Sequence, residues 1–312
     1  MHTLICGSMA YDTIMVFPDQ FKNHILPEQI HILNVAFLVP QMRREFGGCA
    51  GNIAYNMKLI GGNPMIMATV GDDFAAYADR LDQLEIARTH IRHVPETYTG
   101  QAFITTDLDD NQITAFHPGA MGHSEQNSVN DAQNITLGIV SPDGRTGMLQ
   151  HAREFQEAGI PFVFDPGQGM PMFSGEELLE FVGQADYVTV NDYEAKLLQD
   201  KTGRCVEELA KQTRAFIITL GAQGSQIYAG GKTIEIPTPE PAEMLDPTGC
   251  GDAYRAGLLH GIQQGWDWDT TGRLASLLGS IKIASRGGQN HKPTRDELMA
   301  AFKKYFKYDI TL

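Results

Sequence analysis

The chain has 312 residues, 42% of them hydrophobic, and a formal net charge of −14. That charge argues against a general nucleic-acid binder, because neutralising phosphates takes clustered Lys and Arg, but it leaves a bound nucleotide open, since backbone amides and a few side chains can hold one. No stretch approaches the ~20 apolar residues of a membrane span, the residues from Met1 to Cys6 read as a first strand rather than a signal peptide, and the thiols Cys6, Cys49, Cys205 and Cys250 lack C-x-x-C spacing, so a reduced, cytoplasmic protein is expected.

The predicted elements alternate along the chain. Leu4 to Cys6 is a strand, and Ala50 to Ile60 a helix with Ile53, Met57 and Ile60 on one face before the Gly61-Gly62 stop. Asp72 to Leu84 repeats the helical period with Phe74, Tyr77, Leu81 and Leu84. Ile160 to Phe164 is a short buried strand, and Ser174-Gly175-Glu176-Glu177 has capping-box spacing ahead of a helix carrying Leu178, Leu179 and Val182. A strand at Tyr187 to Val190 leads into a helix over Asp192 to Gln199, and Phe216 to Leu220 is a further strand. Helices over Cys250 to Gln263 and Leu274 to Ser285 follow, and Thr294-Arg295-Asp296-Glu297 caps the last one. The alternation predicts a mostly parallel sheet covered by helices on both faces, in one domain over 1–312. Two stretches break the rhythm. Residues 12–45 show no clear helical face, and Thr97 to His117 alternates like paired strands about a turn at Asp109-Asp110-Asn111. Parts of 12–45 and 97–118 are therefore expected to form a small lid, which makes physical sense over a site that must exclude water.

Four segments carry chemistry. In Asp246-Pro247-Thr248-Gly249-Cys250-Gly251-Asp252-Ala253-Tyr254-Arg255-Ala256-Gly257, glycines open a helix whose free amides make an anion site. Asp252 in its first turn either favours the helix dipole or takes a proton from a hydroxyl that attacks a bound phosphate. Phe46-Gly47-Gly48-Cys49-Ala50-Gly51-Asn52 is again a glycine turn into a helix; Asn52 is either a cap or a partner for vicinal hydroxyls. Asn191 ends a strand with Glu194 one helical turn on, which suits either an N-cap or a hydrated Mg²⁺. Thr219-Leu220-Gly221-Ala222-Gln223-Gly224 follows a strand and can let a nucleotide lie against backbone. Gly230-Gly231-Lys232-Thr233 looks like the end of a Walker A loop, but Gln226 stands where that motif needs glycine, and a strand-like run follows, so a hairpin turn is expected.

In this order the four segments resemble the ribokinase/adenosine kinase family, also called the phosphofructokinase B type, over nearly the whole chain. The resemblance implies a Rossmann-like core with a β-lid. It implies Asp252 as base, amides of Gly249, Cys250 and Gly251 as anion hole, and Asn191 and Glu194 in a Mg²⁺ shell. It further implies Asn191, Thr219, Gly221 and Gly224 along the ATP site, and Asp12, Gly47, Gly48 and Asn52 on the acceptor's sugar. Asp246 and the Gly287 region match a monovalent-cation (K⁺) site of many members. Sugar kinases of the family typically place Lys where Cys49 stands, and ribokinases Glu where Val140 precedes Ser141-Pro142. Apolar lid candidates, Val35, Phe37, Leu38, Phe103 and Phe116, suit a nucleobase or pack lid against core. The pattern, with Asp165-Pro166-Gly167-Gln168, looks most like prokaryotic adenosine or broader nucleoside kinases. An ATP-dependent kinase for the 5′-hydroxyl of a nucleoside, adenosine first, is expected. A sugar kinase and a silent nucleotide or sugar sensor are the alternatives, and a homodimer through paired lids is allowed by the edge strands.

Overall fold

The computed structural model describes residues 2–25, 34–109 and 111–312, so Asp110 of the expected turn and residues 26–33 of the irregular stretch lie outside the described residues. The first half runs β1 (His2–Cys6), β2 (Ala10–Val16), β3 (Gln41–Gly47), α1 (Cys49–Leu59), β4 (Pro64–Val70), α2 (Ala75–Gln83), β5 (His90–His93), β6 (Gly100–Thr106) and β7 (Gln112–His117). The middle adds β8 (Ile135–Val140), α3 (Arg145–Glu157), β9 (Phe162–Phe164), α4 (Gly175–Gln184), β10 (Tyr187–Asn191), α5 (Asp192–Thr202) and α6 (Val206–Ala210). The last third holds β11 (Ala215–Thr219), β12 (Ser225–Ala229), β13 (Lys232–Ile236), α7 (Cys250–Gln264), α8 (Trp268–Lys282) and α9 (Arg295–Phe306).

Nine strands form one sheet in the order β13-β12-β11-β10-β9-β8-β1-β4-β5. From β5 to β11 all pairings are parallel, and β12 and β13 close the edge as an antiparallel hairpin. Ala229 faces Lys232 across Gly230 and Gly231, both at positive φ, so this segment is the hairpin expected and not a phosphate loop. The two-residue period of the strands divides the core. Ile5 packs with Ile53 and Met57 of α1 and Leu258 of α7, while its neighbours Leu4 and Cys6 pack with Phe155 of α3 and Phe181 of α4. Parallel strands buried on both faces are the result anticipated from the alternation.

Some boundaries differ from expectation for local reasons. Helix α8 starts at Trp268 rather than Leu274, because the Asp267 carboxylate accepts the Thr270 amide at 2.8 Å and caps it. Helix α2 starts only at Ala75; Asp72 and Asp73 spend their carboxylates on the 93–101 segment instead, on His93, Glu96, Thr99 and Gln101.

The second sheet has four strands, ordered β3-β2-β6-β7. Only β2 and β6 run parallel; the flanking pairs are antiparallel. It draws on the two stretches that broke the helical rhythm.

Candidate active site

The carboxyl ends of the parallel strands deliver most of the site, as open α/β sheets do. Ser8 follows β1, Asp143 follows β8, Asp165 follows β9, Asn191 ends β10 and Thr219 ends β11, and all line one cavity of about 770 Å³. Asp12, Ala102 and Phe116 enter from the small sheet, and Gly48, Cys49 and Asn52 from the start of α1. The first turn of α7 closes the cavity with Gly249, Gly251 and Asp252. A second, apolar slot of about 270 Å³ shares Thr219, Gly221 and Gly251 with it and runs on over Pro241, Met244, Tyr254 and Ile283. The two spaces therefore meet at the N-terminus of α7.

Gly249, at φ +79°, turns the chain into that helix; its left-handed backbone is strained for any residue with a Cβ. A helix leaves its first amides without intrahelical acceptors. Here the Cys250 amide is already bonded to the Pro247 carbonyl at 3.1 Å. Of the expected anion hole of Gly249, Cys250 and Gly251, the Cys250 amide is thereby spent; within the first helical turn, the amides left for a ligand are those of Gly251 and Asp252.

Asp252 is held by a chain of bonds that ends in the small sheet. Asn52 Nδ2 donates to Asp252 Oδ2 at 2.8 Å, and Asn52 Oδ1 accepts from Gln289 Nε2 at 3.1 Å. Gln289 also donates to the Tyr77 hydroxyl at 2.6 Å, which donates to the Gly47 carbonyl at 2.8 Å. This relay fixes which way Asn52 points. Asn52, expected on the acceptor's hydroxyls, has both polar atoms engaged and orients Asp252. Burial raises the Asp252 carboxyl to about 6, against the lowering pull of Asn52 and Arg255. Asp12 also rises to about 6, through burial and then the neighbouring charges of Asp246 and Glu45. Gly47 permits its position, because a Cβ there would sit 2.5 Å from Asp12 Oδ2.

Asn191 and Glu194 are a reciprocal cap: Asn191 Oδ1 accepts the Glu194 amide at 2.7 Å and Glu194 Oε2 the Asn191 amide at 2.8 Å. The amide oxygen expected in a metal shell thus already accepts one bond from the helix. Glu194 keeps one free oxygen toward the cavity, and one carboxylate suits a Mg²⁺ that retains most of its waters. Thr219 and Gly221 line both spaces and Gly224 the apolar slot, as expected of a nucleotide site.

Phe103 is a correction. Phe116 pairs with Ala102, whereas Phe103 pairs with Thr13 and Ala115, so Phe103 stands on the opposite face from the cavity. Phe37 packs its ring at a tilt against Phe17 and Phe21, and Leu38 is exposed. Val140 lies in the Phe-rich core, so its apolar character says nothing about the cavity.

At Asp246, one carboxylate oxygen accepts the Thr248 amide at 2.9 Å and the other the Gly287 amide at 2.8 Å. Its backbone carbonyl accepts from Lys282 Nζ at 2.7 Å. The monovalent cation expected there meets a carbonyl that already holds an ammonium.

The pfkB family of carbohydrate kinases matches residues 10–295. The chain belongs to this family. As a member it is a phosphotransferase with an alcohol group as acceptor. A nucleoside kinase of Methanocaldococcus jannaschii is 30% identical over 274 residues, 87% of this chain and 90% of its own length. A solved nucleoside kinase of Burkholderia thailandensis, in complex with inosine, is 53% identical with a TM-score of 0.91, covering 98% of this chain and 99% of its own. A Thermotoga maritima ribokinase, 21% identical with a TM-score of 0.80 over 97% of this chain and 99% of its own, shares the fold.

Within this family frame, some site residues had no assignment from sequence. Arg255 donates to both oxygens of Asp165 at 2.6 Å, with both residues buried. Its position, one turn after Asp252 on a helix, was the available signal. Arg255 Nη1 makes no hydrogen bond to Asp165 and lies beside Gly251, 2.8 Å from where a Cβ would stand. Buried Asp143 is pushed up to about 8 by desolvation, and nothing in the local pattern announced it.

Proposed function

We propose that this chain is an ATP-dependent nucleoside kinase that phosphorylates the ribose 5′-hydroxyl of a purine nucleoside, adenosine or inosine. The observation that carries the reading is the meeting of two spaces at the first turn of α7, with Asp252 facing the larger one. The larger space is polar at Asp12 and Asp252 and apolar at Ala102, Phe116, Met121 and Met172, which matches an acceptor with a hydroxylated end and a flat base. The apolar slot over Pro241, Met244 and Ile283 matches the adenine of ATP. The Burkholderia relative, solved with inosine and in another structure with ADP-inosine, supports a purine nucleoside.

In this reading Asp252 accepts the hydroxyl proton as the oxygen attacks the γ-phosphate. A base near 6 is ionised at neutral pH yet more basic than an ordinary carboxylate. The Gly251 and Asp252 amides and Arg255 Nη1 stabilise charge on the transferred group. Asp12 accepts from the ribose hydroxyls. Glu194 is the residue that would hold Mg²⁺, which would supply neutralising charge to the phosphates. The small sheet serves as lid to the single domain. Its outer face leaves Met42, Phe103 and Ile113 exposed, the surface for a homodimer. Light scattering of the wild type and Phe103→Glu reads that state, and monomers in both remove it.

The test is ATP consumption with adenosine, inosine, cytidine, ribose and fructose under one set of conditions. A base that buries ~100 Å² more than ribose adds roughly 2.5 kcal/mol, so the best purine nucleoside is expected to lead free ribose by nearly two powers of ten in kcat/KM. Ribose or fructose ahead of every nucleoside would make this a sugar kinase, and ATP binding without turnover of any acceptor would make it a sensor.

A further inference from the structure

Lys282 is the last residue of α8 and is fully buried. Its ammonium donates to the Asp246 carbonyl at 2.7 Å and the Ser285 carbonyl at 3.1 Å. Neither contact is to a carboxylate. The nearest acid, Asp246, already spends its two oxygens on the amides of Thr248 and Gly287. A buried charge is costly unless other groups compensate it. Here two carbonyls from separate chain segments converge on it, one just before α7 and one just after α8. Carbonyl oxygens gathered in this way are how proteins hold a dehydrated monovalent cation, and an ammonium is close to potassium in size. The helix end adds to the arrangement, because a cation at a C-terminus is favoured by the dipole.

The same corner positions the reaction machinery. The amides of Leu245 and Asp246 both bond to the Ile283 carbonyl, at 2.9 and 3.1 Å, which ties the segment ahead of α7 to the end of α8. Four residues on from Asp246 the first turn of α7 begins, with the free amides and Asp252. Burial lowers the Lys282 ammonium's pKa, while the charges of Asp246, Cys250 and Asp252 oppose that fall, which places the ammonium within electrostatic reach of the reaction corner.

We propose that Lys282 is a built-in monovalent cation. Its tethered ammonium takes the place of an exchangeable K⁺ between the Asp246 and Ser285 carbonyls, holds the turn into α7, and makes phosphoryl transfer independent of potassium. Lys282 is a positioning residue: it acts through the Asp246 turn and touches no substrate. The inference rests on the kinase reading above, which fails separately if no acceptor turns over in any salt.

The experiment compares wild type and Lys282→Ala in chloride salts of K⁺, NH₄⁺ and tetramethylammonium at fixed ionic strength, by turnover and by thermal melting. Wild-type kcat is expected to change less than about twofold among the salts. Lys282→Ala is expected to lose at least roughly tenfold in tetramethylammonium and to regain part of it in K⁺ or NH₄⁺, because truncation opens the carbonyl cradle to a free ion. Its melting temperature should rise with K⁺ while the wild type's does not, a readout that needs no turnover. A wild-type rate that climbs several-fold with K⁺ overturns the proposal, and so does a folded Lys282→Ala that keeps full activity without K⁺. Should Lys282→Ala fail to fold, the wild-type salt series decides alone.

Discussion

The turn into α7 and the small sheet contribute opposite kinds of surface to the same cavity. At the turn into α7, the charged and amide groups beside the reaction corner have fixed partners: Asp252 on Asn52, Asn52 on Gln289, Arg255 on Asp165, Lys282 on two carbonyls. In the small sheet, every residue of β7 is exposed, and Phe116, which lines the cavity, is half exposed with no ring stacked on it among the described residues. Charge that develops during a reaction is best met by groups that need not move. A bound base, in contrast, gains from a surface that closes over it and expels water. The chemistry is thus preset in one region, and recognition waits for the ligand in the other.

Breaking the preset region should have the largest effect. Asp252→Asn removes the proton acceptor while keeping the shape, so kcat is expected to fall ~10²–10⁴-fold, with nucleoside and ATP binding retained by calorimetry. The same variant should melt higher. The Asp252 carboxyl is raised above its unfolded value, so its ionised form is penalised in the fold; the penalty is full above about pH 6 and fades as pH falls toward the ordinary carboxylate range. The melting gain should therefore be greatest at neutral pH and shrink under acid conditions. A variant within threefold of wild-type kcat removes Asp252 as base.

Asn52→Ala tests the relay. It is expected to lower kcat roughly 10–100-fold and to move the acid limb of the rate profile above the wild type's, because the Asn52 bond lowers the Asp252 pKa. Loss of rate with an unmoved limb would make Asn52 a purely structural residue.

Smaller effects should separate the two faces of the small sheet. Phe116→Ala forfeits ~40 Å² of contact with a base, about 1 kcal/mol, so KM for the nucleoside is expected to rise roughly fivefold. Phe103→Ala, on the outer face, should leave KM unchanged; equal effects from both would contradict the register drawn here. Smallest is Glu194→Gln, which keeps the helix cap but removes a charge, and should raise the Mg²⁺ needed for half-maximal rate roughly threefold.

The sequence was most legible where local chemistry decides. Glycine turns into helices, capping boxes at Ser174 and Thr294, and the hairpin at Gly230-Gly231 all formed as read, because each depends on a few adjacent residues. Asp252 and its cavity were legible through one dense motif. Phe103 was misplaced because the period of a strand shows which residues share a face, not which face meets a ligand. The Arg255–Asp165 pair and the Lys282 cradle join residues 90 and 36 positions apart, and no spacing rule reaches that far. Strand β4 went unread as well, a short apolar run, Pro64 to Val70, that no periodicity sets apart from a buried helix.

The most direct test of a preset base is the pH dependence of kcat/KM for the best purine nucleoside at saturating Mg-ATP, since that ratio reports groups of the enzyme before the nucleoside binds. With Asp252 and Asp12 both raised to about 6 by burial, kcat/KM should be flat above that pH and fall at least roughly tenfold per unit below it. A profile that stays flat down to the ordinary carboxylate range, about pH 4, would contradict the account.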